Sequence, residues 1–265
     1  MATIKKITSI LTGTLIVASS ILATNSARAD TTTILNFDTQ FDGTPITTGD
    51  GTKVNETQLF QGYGVELGTN NPNNRPLVLF NSNCGPDFGT QCTGGDPDLA
   101  SGPSFGSEAQ GNVLIIQERN NLTIPDDDAD GGIFEFDFTD KSGVTFDKVG
   151  ILDLDEGVNP IFKFFQEKDG VETTTVFNVG DVGLGVTLLN PSNPGDNSLR
   201  EYDFSALTLS NVKRLEVELD DVSGAIAYLQ YQRSQEVPEP TTILSLIAVG
   251  GLGLLTKKKS MINKA

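Results

Sequence analysis

The chain contains no histidine and no tryptophan. Without histidine there is no Ser-His-Asp or Cys-His catalytic arrangement, no imidazole general base and none of the common histidine-bearing zinc sites. Without tryptophan the largest aromatic platform for stacking a sugar ring is missing. Tyr63, Tyr202, Tyr228 and Tyr231 are left to supply one, since most of the 15 phenylalanines fall at core-like positions. Cysteine is reduced to Cys84 and Cys92, in NCGPDFGTQC. Their spacing is not C-x-x-C, which argues against a redox or metal pair. Basic residues are scarce where a nucleic acid would need them. Lys5, Lys6 and Arg28 lie near the start, and Lys257, Lys258, Lys259 and Lys264 near the end. The stretch between holds 11 basic against 35 acidic residues, a net charge of −24. Such a surface repels nucleic acid and anionic lipid and attracts divalent cations, so a DNA- or RNA-binding role is excluded.

The two ends read as addresses. Residues 1–29 place Lys5 and Lys6 before an apolar stretch that closes on Ala27-Arg28-Ala29, a small-x-small pattern. This predicts a secretory signal peptide cleaved between Ala29 and Asp30. An exported chain meets an oxidising compartment. Gly85, Pro86 and Gly89 let the segment between the cysteines fold back, so a local Cys84–Cys92 disulfide closing one surface loop is expected.

Between the ends, residues 30–235 read as short strands separated by Gly, Asn, Asp and Pro turns. Candidate strands are 32–38, 63–67, 77–80, 112–118, 133–138, 145–154, 161–166, 173–178, 182–189, 200–204, 214–219 and 225–231. In IFEFDF, Phe134, Phe136 and Phe138 point one way and Glu135 and Asp137 the other; in RLEVEL, Leu215, Val217 and Leu219 alternate likewise with Glu216 and Glu218. That is the signature of half-buried strands. No stretch of the body sustains a helical period. The expected fold is all-β, a single β-sandwich or jelly-roll-like domain. Residues 68–110 break the rhythm with a crowd of Asn, Gly, Pro, Ser and Asp. A loop of that length inside a compact domain is functional or disordered, and a disulfide inside it favours an ordered one.

The chemistry is concentrated in acidic turns. PDDDADGGIFEFD places Asp126, Asp128 and Asp130 in a D-x-D-x-D-G pattern, with Gly131 at the turn and Asp137 at the last position. These residues resemble the EF-hand calcium loop, whose acidic oxygens wrap a hard cation. The pattern departs from it in ending on Asp rather than Glu and in running into a strand rather than a helix. GGDPDL adds Asp96 and Asp98, and LDLDE adds Asp153 and Asp155. Together they form candidate ligands for a shared calcium site built by several loops; the competing reading is a set of solvated turns in a chain acidic throughout. Carboxylate pairs would also serve a glycosidase, but carboxylates are too abundant here for a pair to point to one.

After the last strand comes Val237-Pro238-Glu239-Pro240, whose prolines cannot continue a sheet. Residues 241–255 are apolar apart from Thr and Ser, and Lys257, Lys258 and Lys259 follow. As a helix the apolar run would span about 22 Å, short of the ~30 Å hydrocarbon core, but with Pro240, Thr256 and snorkelling lysines it could just cross and anchor the chain in the inner membrane, with the lysines held on the cytoplasmic side. These three parts, in this order, resemble the PEP-CTERM sorting signal of exported bacterial proteins. The family more often ends in arginines. The resemblance covers residues 236–260, leaving 261–265 as a tail. It implies processing near the motif by an exosortase-type membrane transpeptidase, passage through the inner membrane, and a final place at the cell surface or outside it, in company with exopolysaccharide. The expectation is therefore a non-enzymatic exported surface or extracellular-matrix protein that binds or packs with exopolysaccharide, calcium-stabilised. The alternatives are a carboxylate-dependent carbohydrate-active enzyme and a purely structural surface component.

Overall fold

Short runs of Phe, Val, Ile and Leu, each cut by turn residues, produce twelve strands among the described residues. The computed structural model describes residues 28–46, 51–54, 59–154, 159–181, 183–189 and 195–236. In chain order the strands are β1 (Arg28–Asn36), β2 (Val65–Asn70), β3 (Leu77–Asn81), β4 (Asn112–Ile116), β5 (Gly131–Phe138) and β6 (Val144–Leu152). They continue with β7 (Ile161–Lys168), β8 (Val171–Asn178), β9 (Gly185–Leu188), β10 (Leu199–Asp203), β11 (Leu209–Asp220) and β12 (Ala225–Glu236). Each falls on one of the expected segments, and among the described residues the only helical pieces are 3₁₀ turns of three residues. Ala29–Gln235 forms one compact unit; the remaining residues, Met1–Arg28 and Glu236–Ala265, lie almost wholly outside the described set. The predicted signal sequence through Ala27, the expected sorting motif at Val237 to Pro240 and the expected lysine stop at Lys257 to Lys259 fall there.

All twelve strands belong to one antiparallel sheet that doubles over into a sandwich. One layer runs β2-β5-β11-β7-β8; the other runs β3-β4-β12-β6-β10-β9, with β1 also on β12. β11 belongs to both. Its first residues pair with β6 (Leu209 with Phe146, Val212 with Val144), and from Arg214 onward it lies between β5 and β7. The change of partner happens at a register shift containing Asn211 at φ 57°, a left-handed conformation that asparagine tolerates. A strand that switches layers through a bulge is how a sandwich turns a corner.

Rings from both layers fill the space between. Phe138 of β5 stacks edge-on against Tyr231 of β12, Phe146 of β6 meets Phe164 of β7, and Phe162 of β7 meets Tyr202 of β10. The predicted alternation holds: Phe134, Phe136, Leu215 and Val217 are buried while Asp137 is exposed and Glu216 half-exposed.

The long Asn- and Gly-rich segment is mostly ordered cover. Within it β3 forms as expected, and residues 82–111 then fold back as a lid on the outer face of β3, β4 and β12. Ser82 and Ser101 close its neck, with the two hydroxyls 2.8 Å apart and the Ser101 N–H donating to the Ser82 carbonyl at 2.9 Å. Leu99, Ala100 and Cys84 pack on Val78, Phe80, Val113 and Ile115 in a second apolar cluster. This is why every residue of β4 is buried. Cys84 and Cys92 form the expected disulfide inside the lid. Replacing both by serine removes a short loop constraint and is expected to lower stability by about 2 kcal/mol, read as a fall in the urea midpoint; no fall would mean that the lid holds its shape without the bridge.

Candidate functional site

The acidic turns meet where the lid crosses the connection between β4 and β5. After Cys92 the lid makes a 3₁₀ turn, Thr93–Gly95, that ends on Asp96. Gly94 sits at φ 74°, and a Cβ there would lie 2.0 Å from the Pro125 carbonyl oxygen. Only glycine permits so close an approach of two backbones. On the other side, residues 126–128 run extended against the end of β4. The Glu118 N–H donates to the Asp126 carbonyl at 2.8 Å and the Asp128 N–H to the Ile116 carbonyl at 2.9 Å. The buried Gln117 amide fastens the turn by donating to the Ile124 carbonyl at 3.1 Å and accepting from the Asp126 N–H at 3.3 Å.

In consequence one carboxylate oxygen from each of Asp96, Asp126 and Asp127 lies within 4.8 Å of the other two. Asp96 and Asp127 are both about nine-tenths buried, at 8% exposure. Asp127 accepts the Gly224 N–H at 2.7 Å from the turn between β11 and β12. Buried Asp153, at the end of β6, adds its charge to the field on Asp127, and it accepts the Asn197 N–H at 3.1 Å. The Asn197 side chain in turn donates to the lid carbonyls of Pro97 and Ala100 at 2.8 and 2.9 Å. Arg119 is the cation nearest the cluster that the structure pairs with it, 3.6 Å from Asp126 and largely exposed.

Packing carboxylates together away from water raises their proton affinity. Burial pushes the Asp127 carboxyl well above the usual carboxylate range, reinforced by its hydrogen-bond contact with Asp96 and the charges of Asp96 and Asp153, and opposed by the Gly224 N–H. Asp126 is pushed up to about 6 by burial, then by a hydrogen bond with Glu118 and the charges of Asp96 and Glu118, with Arg119 opposing. Three buried acid oxygens, Asp96 Oδ2, Asp98 Oδ1 and Asp128 Oδ2, have no hydrogen-bond partner.

The loops predicted to share a site do converge, through a different set of oxygens. Asp96, Asp126 and the neighbouring Asp153 come together, with Asp98 close by in the chain; Asp155 lies outside the described residues. The three alternate acids of the EF-hand-like pattern do not wrap one point. Asp128 Oδ1 accepts the Asp130 N–H at 3.2 Å, and Asp130 Oδ2 accepts from the Asn73 amide at 3.3 Å. The reason is local: a bridge between Gln117 and Asp127 holds the segment extended, so it cannot curl as an EF-hand loop does. Asp127, the residue the motif skips, is the one turned inward. Its only sequence signal was its place among three consecutive aspartates.

A second feature lies beside the lid. Tyr63, Tyr202 and Tyr231 are buried at 6%, 0% and 0% exposure, which removes them as sugar platforms. Tyr228 lies over Gly150 of β6, where a Cβ would come within 2.3 Å of the ring. Its hydroxyl donates to Glu201 at 2.6 Å, and Glu201 also accepts from Lys148 at 2.8 Å. The ring borders a cavity of about 720 Å³ between the lid (Ser107, Glu108, Gln110) and the leucines Leu189 and Leu199.

No protein-family model, curated protein or solved structure matches the chain.

Proposed function

We propose that this chain is a non-enzymatic exported surface or extracellular-matrix protein whose sandwich binds extracellular polysaccharide at the groove beside Tyr228. The observation that carries this reading is the contrast among the tyrosines: three are sealed in the core and the fourth lines a cavity of sugar-accommodating size. The occupant is an uncharged glycan. Tyr228 offers a ring for the C–H face of a pyranose, Gln110 and Glu108 offer polar partners for hydroxyls, and Lys148 is already engaged by Glu201 and Asp203. A polyanion would meet the acidic surface with nothing to neutralise it. The PEP-CTERM resemblance at Val237 to Pro240 and Lys257 to Lys259 supports the rest: export, passage through the inner membrane, processing by an exosortase-type enzyme, and release or display outside.

Because the chain has no tryptophan, its emission comes from its four tyrosines, and of these Tyr228 lines the cavity while the other three are buried. Titrating the exported protein with neutral oligosaccharides is expected to change that emission and to shift resonances around Tyr228. Tyr228→Ala should weaken binding about tenfold, while Tyr228→Phe keeps the ring and most of the affinity. Equal binding by Tyr228→Ala would remove the groove from the reading, and no response to any glycan would remove polysaccharide binding. Release of reducing ends during the titration would favour the carbohydrate-active enzyme instead.

A further inference from the structure

We infer that Asp96, Asp126 and Asp127 hold a hard divalent cation of the calcium type, and that this ion staples the lid to the sandwich. It stands on observations separate from the glycan groove.

The first is spacing. Oxygens bound to one calcium at about 2.3–2.6 Å lie up to roughly 5 Å apart, and the three carboxylate oxygens here fall within 4.8 Å of one another. The second is the orphaned oxygen. Asp96 is about nine-tenths buried and its Oδ2 has no hydrogen-bond partner, as is true of Asp98 Oδ1 on the same lid turn. An acid oxygen kept from water with nothing to bind costs stability, and a cation held against the three carboxylates would offset that cost. The third is donor chemistry. The groups are all carboxylate oxygens, and the cysteines are consumed by their disulfide. Such a set suits calcium or magnesium and not zinc or copper. The buried, irregular, carboxylate-rich arrangement favours calcium, because magnesium demands a near-octahedral shell and retains its waters.

The consequence follows from which segment carries each ligand. Asp126 and Asp127 belong to the connection that leads into β5, whereas Asp96 belongs to the lid. The disulfide joins two points within the lid and does not tie it to the sheet. The ion would tie them, leaving the Asn197 amide and the Ser82–Ser101 neck as secondary fastenings. Without it, repulsion among the carboxylates pushes the lid away from Val78, Phe80, Val113 and Ile115, the apolar face it covers.

The test uses the exported protein stripped with EDTA. Calorimetric titration with calcium chloride should show one site, with magnesium chloride binding at least tenfold more weakly. Hydrogen exchange in residues 82–111 should slow about tenfold when calcium is added, as it does wherever a ligand suppresses local opening. Asp96→Asn should abolish the calcium response and, by removing one repelling charge, be at least as stable as the unsubstituted protein in EDTA. Asp127→Asn should abolish the response independently. No heat at millimolar calcium, or a calcium response that survives in both variants, overturns the site. Calcium binding that leaves exchange in 82–111 unchanged overturns the staple, and neither result bears on the glycan groove.

Discussion

Phe204→Ala is expected to destabilise the sandwich by about 4 kcal/mol. Phe204 follows β10, is fully buried, and anchors its backbone by donating its N–H to the Asp147 carbonyl at 2.7 Å. Its ring meets those of Phe162 and Phe164 at 5.0 Å between centroids and those of Phe146 and Phe177 at 5.9 Å. Phe146 comes from one layer, and Phe162, Phe164 and Phe177 from the other, so the ring closes the gap between them. Alanine leaves a void that backbone hydrogen-bonded on both sides cannot collapse into. The cost combines lost transfer free energy with the cavity left behind, and it is a large fraction of the roughly 5–15 kcal/mol that holds a domain together. Urea denaturation should show the midpoint falling with the slope unchanged. A loss below about 1 kcal/mol would mean that the layers close over the void and that this ring is not the keystone of the core.

The second large effect is an inverted pH dependence. In EDTA, the domain should become more stable as pH falls from 7 to 5. The sign follows from linkage. Asp126 is pushed from its ordinary 3.8 to about 6, and burial raises Asp127 well above the same ordinary value, so the folded chain binds protons that the unfolded chain has already released. Between those values stability falls as pH rises. Asp126, which is only partly withdrawn from solvent, accounts for on the order of 1 kcal/mol between pH 7 and 5. Asp42 and Asp203, whose proton affinities are lowered by hydrogen bonds to Thr44 and Ser205, act in the opposite sense, but only at more acid pH. Thermal melts of the unsubstituted protein and of the Asp126→Asn, Asp127→Asn double variant separate the contributions. The unsubstituted protein should gain stability relative to the variant on acidification, and calcium should cancel the gain. Parallel curves would show that these carboxyls titrate alike in both states.

Short apolar or alternating runs cut by Gly, Asn, Asp and Pro turns located the twelve described strands, because the side-chain pattern of a strand and the turns that end it are properties of neighbouring residues. The Cys84–Cys92 pairing was legible for the same reason: eight positions and three turn residues define the loop. The partners of those strands were not legible. β11 had to be traced through a bulge at Asn211 to reveal that it serves both layers, and the expected strand began only at residue 214. The lid was expected to be an ordered loop, but nothing local showed that it would cover the outer face of β4.

The candidate site divides along the same line. Residue type and charge alone marked the turns at Asp96, Asp126 and Asp153 as places where a cation would be welcome. Which carboxylates meet was decided by contacts between distant parts of the chain: Gly94 admitting the Pro125 carbonyl, Gly224 donating to Asp127 across 97 residues, and Asn197 binding the lid. Tyr228 was one of four equivalent candidates until burial removed the other three. A sequence carries the period and the charge of each segment locally. The convergence of oxygens on one point, and the exposure of one ring, depend on how separate segments pack, and that is settled only when the sheet closes.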